Sequence, residues 1–256
     1  MSEVTNKTIL TVENVTKKYK TELACDNVSF ALPAGSVTVL LGPNGAGKST
    51  IMKSIIGFLR YEGNITVDGH PNKSIEAKRV LGYMPEIPSL YPNLTVEEHM
   101  EFVARAYRLE NYRPYMNELL ERFELEDKKK KFGDELSKGM SQKLSLCCAL
   151  LPQPKLMLMD EPMIGLDPHA IKELKALMGD MKKNGQTLLV STHIIDSMDR
   201  LWDHAVIMQK GHILGNVVRE ELEQQGRTLE DEFFALTEGI SENDMYSLTE
   251  EKEEES

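Results

Sequence analysis

Residues 42–49 read Gly42-Pro43-Asn44-Gly45-Ala46-Gly47-Lys48-Ser49, a match to the spacing G-x-x-x-x-G-K-[ST]. These residue types suit one task, holding a polyphosphate. Gly45 and Gly47 let the backbone curl so that successive N–H groups point at phosphate oxygens. A helix opening at the end of the loop adds partial positive charge. Lys48 then reaches the β and γ phosphates, the Ser49 hydroxyl ligates Mg²⁺, and Thr50 extends the same contact surface. The flanks fit: an apolar run, Ser36–Leu41, precedes the loop, and a helical-looking stretch, Ile51–Ile56, follows it.

Such a loop needs a carboxylate partner. Asp160 ends the apolar run Leu156-Met157-Leu158-Met159, and Glu161 follows at once. At the carboxyl end of a buried strand beside the loop, Asp160 can hold Mg²⁺ through water. Glu161 can then polarise the water that attacks the γ-phosphate.

The elements that must position these groups are legible from their periodicity. The first 80 or so residues read as strands, with a hairpin turn at Asp68-Gly69. From Thr95 to Leu150 helical spacing takes over, and Thr95 with Glu98 forms a capping-box signature. Lys128–Lys131 reads as a solvated helix end. After Pro154 two apolar strands, Leu156–Met159 and Thr187–Ser191, flank a helix at 170–184 with Gly185 beyond its end. Strands apolar throughout imply parallel pairing, buried on both faces.

Composition removes several alternatives. The 256 residues carry a net charge of −11, of which residues 239–256 account for −6. No net excess of base is available for non-specific binding to nucleic acid, so no nucleic-acid partner is expected. No window of about 18 apolar residues exists to span a bilayer, and the start lacks the pattern of a signal peptide. Cys25, Cys147 and Cys148 read as small apolar side chains in a reducing compartment.

Taken together, the motifs resemble the nucleotide-binding subunit of ATP-binding cassette (ABC) transporters over about residues 8–220. Leu136-Ser137-Lys138-Gly139-Met140 resembles the family signature, with Lys138 and Met140 departing from it. The resemblance implies that Ser137 and Gly139 contact the nucleotide of an opposite cassette, and that Gly165-Leu166-Asp167 bridges the two protomers. It makes His193 a switch histidine at the γ-phosphate, and Tyr19 the aromatic that stacks on adenine. Glu86 stands where the family usually has a glutamine facing Mg²⁺ or the water. With Leu229–Phe234 and the run Tyr83–Tyr91, it is similar to the Ecs-type and ABC-2-type bacterial exporter branch.

The expected fold is α/β: a P-loop NTPase (RecA-like) core with an N-terminal antiparallel β portion and an inserted helical subdomain. The core covers about 1–85 and 151–220, the helical subdomain about 86–150, and a C-terminal extension about 221–238. These make one cassette of 1–238, and 239–256 forms an acidic, flexible tail. The expected activity is hydrolysis of ATP with Mg²⁺ as cofactor. Glu161, His193 and Lys48 are catalytic, and Ser49, Asp160 and Glu86 hold the metal. The expected partners are an integral membrane permease and a second nucleotide-binding subunit, the same chain or a homologue. They would place the chain in the cytoplasm, on the inner face of the cell membrane. Apolar Ile87, Leu90, Tyr91 and Leu94, stiffened by Pro85, Pro88 and Pro92, are expected to form the surface that receives the permease. Two rivals are a non-transport ABC ATPase of the iron–sulfur assembly type and a weakly hydrolysing cassette paired with an active one.

Overall fold

The computed structural model describes residues 7–198 and 201–238, so the acidic tail lies outside the described residues. Two long strands, β1 (Thr8–Tyr19) and β2 (Glu22–Pro33), open the chain as an antiparallel pair. β3 (Val37–Leu41) then enters a second sheet and leads through residues 42–47 into α1 (Lys48–Ile55). β4 (Glu62–Val67) and the short β5 (His70–Pro71) close the first sheet across Asp68-Gly69, both at positive φ, as the hairpin signal predicts. α2 (Ile75–Val80) and β6 (Leu81–Met84) follow.

Between β6 and the next strand lie α3 (Val96–Ala106), α4 (Arg113–Arg122) and α5 (Lys138–Leu150). The capping box at α3 is present in full. α5 begins at Lys138, where the Ser137 hydroxyl accepts the Met140 N–H and caps it. The lysine run 128–131 is more than a solvated end. The carbonyls of Lys129 and Lys131 accept the N–H groups of Glu97 and Val96, supplying acceptors that the first turn of α3 otherwise lacks.

β7 (Leu156–Asp160), α6 (Pro168–Lys183) and β8 (Thr187–Thr192) form the expected strand–helix–strand unit. β9 (His204–Gln209), β10 (His212–Val218), α7 (Arg219–Gln224) and α8 (Leu229–Glu238) complete the chain. The second sheet has the order β10-β9-β3-β8-β7-β6 and is parallel except at β10.

Alternate residues of the central strands feed two separate cores, one on each face of this sheet. Val39, Met157, Met159, Leu188 and Val190 pack with Met100, Leu120, Phe123 and Leu174 of the helices. Leu40, Leu158 and Leu189 pack with Ile51, Met52 and the apolar side chains of β1 and β2. Burial on both faces explains why these strands lack polar alternation. Among the described residues, no helix is long and apolar enough to cross a membrane.

Candidate functional site: a phosphate-binding loop facing a buried carboxylate pair

The loop 42–47 sits at the carboxyl end of β3, where the order of strand connections reverses and ligands of such sheets bind. Two of its glycines are fixed by space. A Cβ on Gly42 would lie 2.3 Å from the Met208 carbonyl oxygen. One on Gly47, at φ 101°, would lie 2.5 Å from the Ala24 carbonyl oxygen. The loop is also stapled from the side, where the Gly211 N–H donates to the Ala46 carbonyl at 3.0 Å. Lys48 Nζ is buried and donates to the carbonyls of Gly42 (2.7 Å) and Pro43 (3.2 Å).

β7 and β8 bring the acids to the loop. Asp160 and Ser191 are register partners on these parallel strands. Asp160 is 1% exposed and accepts from Ser49 Oγ at 3.1 Å and from Ser191 Oγ at 2.5 Å, both at Oδ1. Ser191 Oγ also accepts the backbone N–H of Glu161 at 3.0 Å. Glu161 is buried and turns the chain at φ 48°, an unfavourable conformation for a residue with a Cβ. Its Oε1 lies 2.9 Å from His193 Nδ1 and 3.5 Å from Lys48 Nζ. An ionised carboxylate only accepts, so this contact is a hydrogen bond in the tautomer that carries the His193 proton on Nδ1.

A cavity of about 690 Å³ opens over this cluster. Of the residues expected from sequence, it is lined by Tyr19, Asn44, Gly45, Ala46, Gly47, Lys48, Ser49, Thr50, Glu86, Glu161 and His193. Tyr19 is 41% exposed, and Lys17 Nζ stands 4.8 Å above its ring centroid. Asp160 lies beneath, behind Ser49. Gly42 and Pro43 form the base of the loop. Ser137 and Gly139 do not line the cavity; they sit at the start of α5, where a Cβ on Gly139 would lie 3.2 Å from the Gly165 carbonyl oxygen. Sequence reasoning missed Ser191, and also Lys210, Glu22, Leu23, Ala24 and Ile164 on the cavity wall. The β9–β10 turn carries Lys210, and the staple to Ala46 brings it there.

The donor set fits a hard divalent cation. Ser49 and Asp160 offer a hydroxyl and a carboxylate, and among the described residues no Lys or Arg pairs with Asp160. The Tyr83 hydroxyl adds a buried polar group without a partner. Burial raises its pKa, and the carboxylates of Asp160 and Glu86 facing it raise it further.

A second concavity of about 610 Å³ lies on the other side of β6. Phe58, Tyr83, Ile87, Leu90, Tyr91 and Phe102 line it, and Ile87 is 77% exposed. Buried His99 holds its rim, bonding the Thr95 carbonyl through Nδ1 and accepting the Tyr91 N–H at Nε2. Leu94, expected here from sequence, does not line it; its carbonyl accepts the Gly133 N–H instead.

A phosphate-binding loop after β3, an acid pair at the end of β7 two strands away and three helices inserted between β6 and β7 together define an ATP-binding cassette. Residues 25–164 match the ABC transporter family, and the chain belongs to it. The ABC-type transporter ATP-binding protein EcsA of Bacillus subtilis is 37% identical over 238 residues, which is 90% of this chain and 96% of that relative. A solved structure described as the ATP-binding subunit of an ABC transporter superposes with a TM-score of 0.84 at 35% identity, covering 90% of this chain and 99% of that one. CbiO1 from Clostridium perfringens, described as part of the ABC transporter complex CbiONQ, superposes with a TM-score of 0.69 at 28% identity, covering 86% and 92%. The chain is thus an ATPase cassette that falls with the Ecs-type relatives its sequence resembles.

Proposed function

We propose that the chain hydrolyses Mg·ATP to drive export through a separate membrane permease, with Glu161 as the general base. The observation that carries this reading is the pinning of Glu161 Oε1 between His193 Nδ1 and Lys48 Nζ at the mouth of the phosphate loop. The loop N–H groups and Lys48 take the phosphates, and Tyr19 stacks on the adenine. Lys48 reaches the γ-phosphate by exchanging its carbonyl partners for phosphate oxygens. Ser49 and Asp160 would hold Mg²⁺, which supplies positive charge to the phosphate oxygens when bound. Glu161 takes the proton of the attacking water, His193 fixes the orientation of that carboxylate, and Glu86 faces the same water from the loop after β6.

Ser137 and Gly139 act on the nucleotide of a second cassette, which their separation from this chain's own cavity supports. The apolar concavity between α1, β6 and α3 receives a segment of the permease, which holds the chain against the inner face of the membrane. CbiO1, described as part of a transporter complex, supports a permease partner. Export rests on the resemblance to the Ecs-type branch. Purification from membranes with and without detergent tests the partnership. An integral membrane protein should co-purify in detergent, and a chain recovered alone from the soluble fraction contradicts it.

A further inference from the structure

α5 joins the Ser137–Gly139 segment to the apolar concavity. Ser137 and Gly139 stand at its start, and Ser145, Cys148 and Ala149 line the apolar concavity. Lys143 projects from the opposite face, roughly 200° around the helix from Ser145 at 100° per residue. It is 7% exposed, and its ammonium holds two carboxylates at once: Asp167 Oδ2 at 2.8 Å and Glu124 Oε2 at 3.0 Å.

Both partners sit where the chain changes direction. Asp167 ends the loop that begins at Glu161, and its Oδ1 accepts the Ala170 N–H at 2.8 Å to cap α6. Glu124 follows α4 at φ 58°. Burial lowers the Lys143 pKa, but the bonds to Asp167 and Glu124 outweigh it, so the net shift is upward. The Asp167 carboxyl is held at about 2, first by Lys143 and then by the Ala170 N–H. With His169, the two carboxylates offer ligand atoms within 4.8 Å of one another. The Lys143 ammonium already supplies the positive charge there, so the trio does not form a cation site.

We propose that Lys143 is a positioning residue for hydrolysis: it joins the start of α5 and the loop 161–167 into one body, so that a push on the concave face of α5 reaches Glu161. The push rests on the permease reading above, whereas the coupling of α5 to Glu161 does not.

Three variants separate the roles. Asp167→Asn keeps the cap on α6 and removes the charge, because Asn caps as well as Asp. Lys143→Met removes the ammonium and keeps the stem, and Lys143→Arg keeps the charge. Steady-state ATP hydrolysis and the Kd for Mg·ATP are measured on the full chain, alone and with its co-purified permease. Lys143→Met and Asp167→Asn should each lower kcat about tenfold with KM within about twofold. Lys143→Arg should retain most of the activity, and the Lys143→Met/Asp167→Asn double variant should be no slower than either single one, because the two remove one shared interaction. Wild-type kcat in Lys143→Met with only a lower Tm overturns the proposal, as do parallel losses in kcat and ATP affinity. A wild type that the permease does not stimulate, together with a slow Lys143→Met, sinks the permease reading and leaves the coupling standing.

Discussion

His193 Nδ1 and Glu161 Oε1 stand 2.9 Å apart although 32 positions separate them in the chain. The contact exists because β7 and β8 run side by side in parallel and release the chain at the same edge of the sheet. The imidazole fixes one carboxylate oxygen, and Lys48 stands on that same oxygen's other side at 3.5 Å.

Replacing His193 by Ala frees that carboxylate to rotate. Turnover should fall by about 10²-fold, at the low end of what a positioned acid–base pair contributes, with the Kd for ATP nearly unchanged. Single-turnover hydrolysis and equilibrium nucleotide binding check this, and a loss confined to binding would contradict it.

Ser191 is the hinge between the two acids, donating to Asp160 and accepting from the Glu161 amide. Ser191→Ala removes one of the two hydroxyls that donate to Asp160, a carboxylate only 1% exposed, and leaves the Glu161 N–H with the Ser191 carbonyl alone. Leaving a buried group unsatisfied costs about 1–3 kcal/mol, and both groups here keep one partner, so urea unfolding should show a drop toward the low end of that range. Affinity for Mg·ATP should weaken as Asp160 loses its orientation. An unchanged urea midpoint would show that the hydroxyl is dispensable.

The Lys143–Asp167 pair has a pH signature. Asp167 titrates at about 2 in the folded chain, below its ordinary 3.8. Its stabilising contribution is therefore fully present above the ordinary value and fades as pH falls toward 2. Asp167→Asn should be less stable than wild type at neutral pH, and the gap in urea midpoint should close as pH drops from about 5 toward 2. A gap independent of pH would assign the cost to something other than the carboxylate.

Phe123 is fully buried among the helix side chains beneath the sheet. Phe123→Ala should cost about 3–5 kcal/mol through lost burial and the cavity left behind. It lines neither concavity, so the folded fraction should bind ATP as wild type does. A change in that affinity would link the helical core to the nucleotide loop.

What the sequence discloses tracks how local the chemistry is. The phosphate loop is a contiguous stretch whose glycines, lysine and serine serve one ligand, so spacing alone identifies it. The Thr95–Glu98 capping box, the Asp68-Gly69 turn and the doubly buried strands are local as well. Ser191 is invisible because its role depends on register: it works only where β8 sets it opposite Asp160. Lys210 reaches the cavity through a hairpin turn stapled to Ala46, and Glu22, Leu23 and Ala24 reach it from the other sheet. The lysine run 128–131 hides its main task, because backbone carbonyls, not side chains, meet α3. Asp167 looks from sequence like a residue for a partner chain. Within this chain it is already engaged, by Lys143 and by the first turn of α6.

The central claim is that Glu161 takes the proton from the attacking water. Glu161→Gln keeps the side chain's shape and an acceptor for His193 but cannot take up a proton. Steady-state hydrolysis of Mg·ATP by this variant, in complex with the co-purified membrane protein, should fall by at least about 10²-fold, with the Kd for ATP within a few-fold of wild type. Near-wild-type turnover would contradict the assignment.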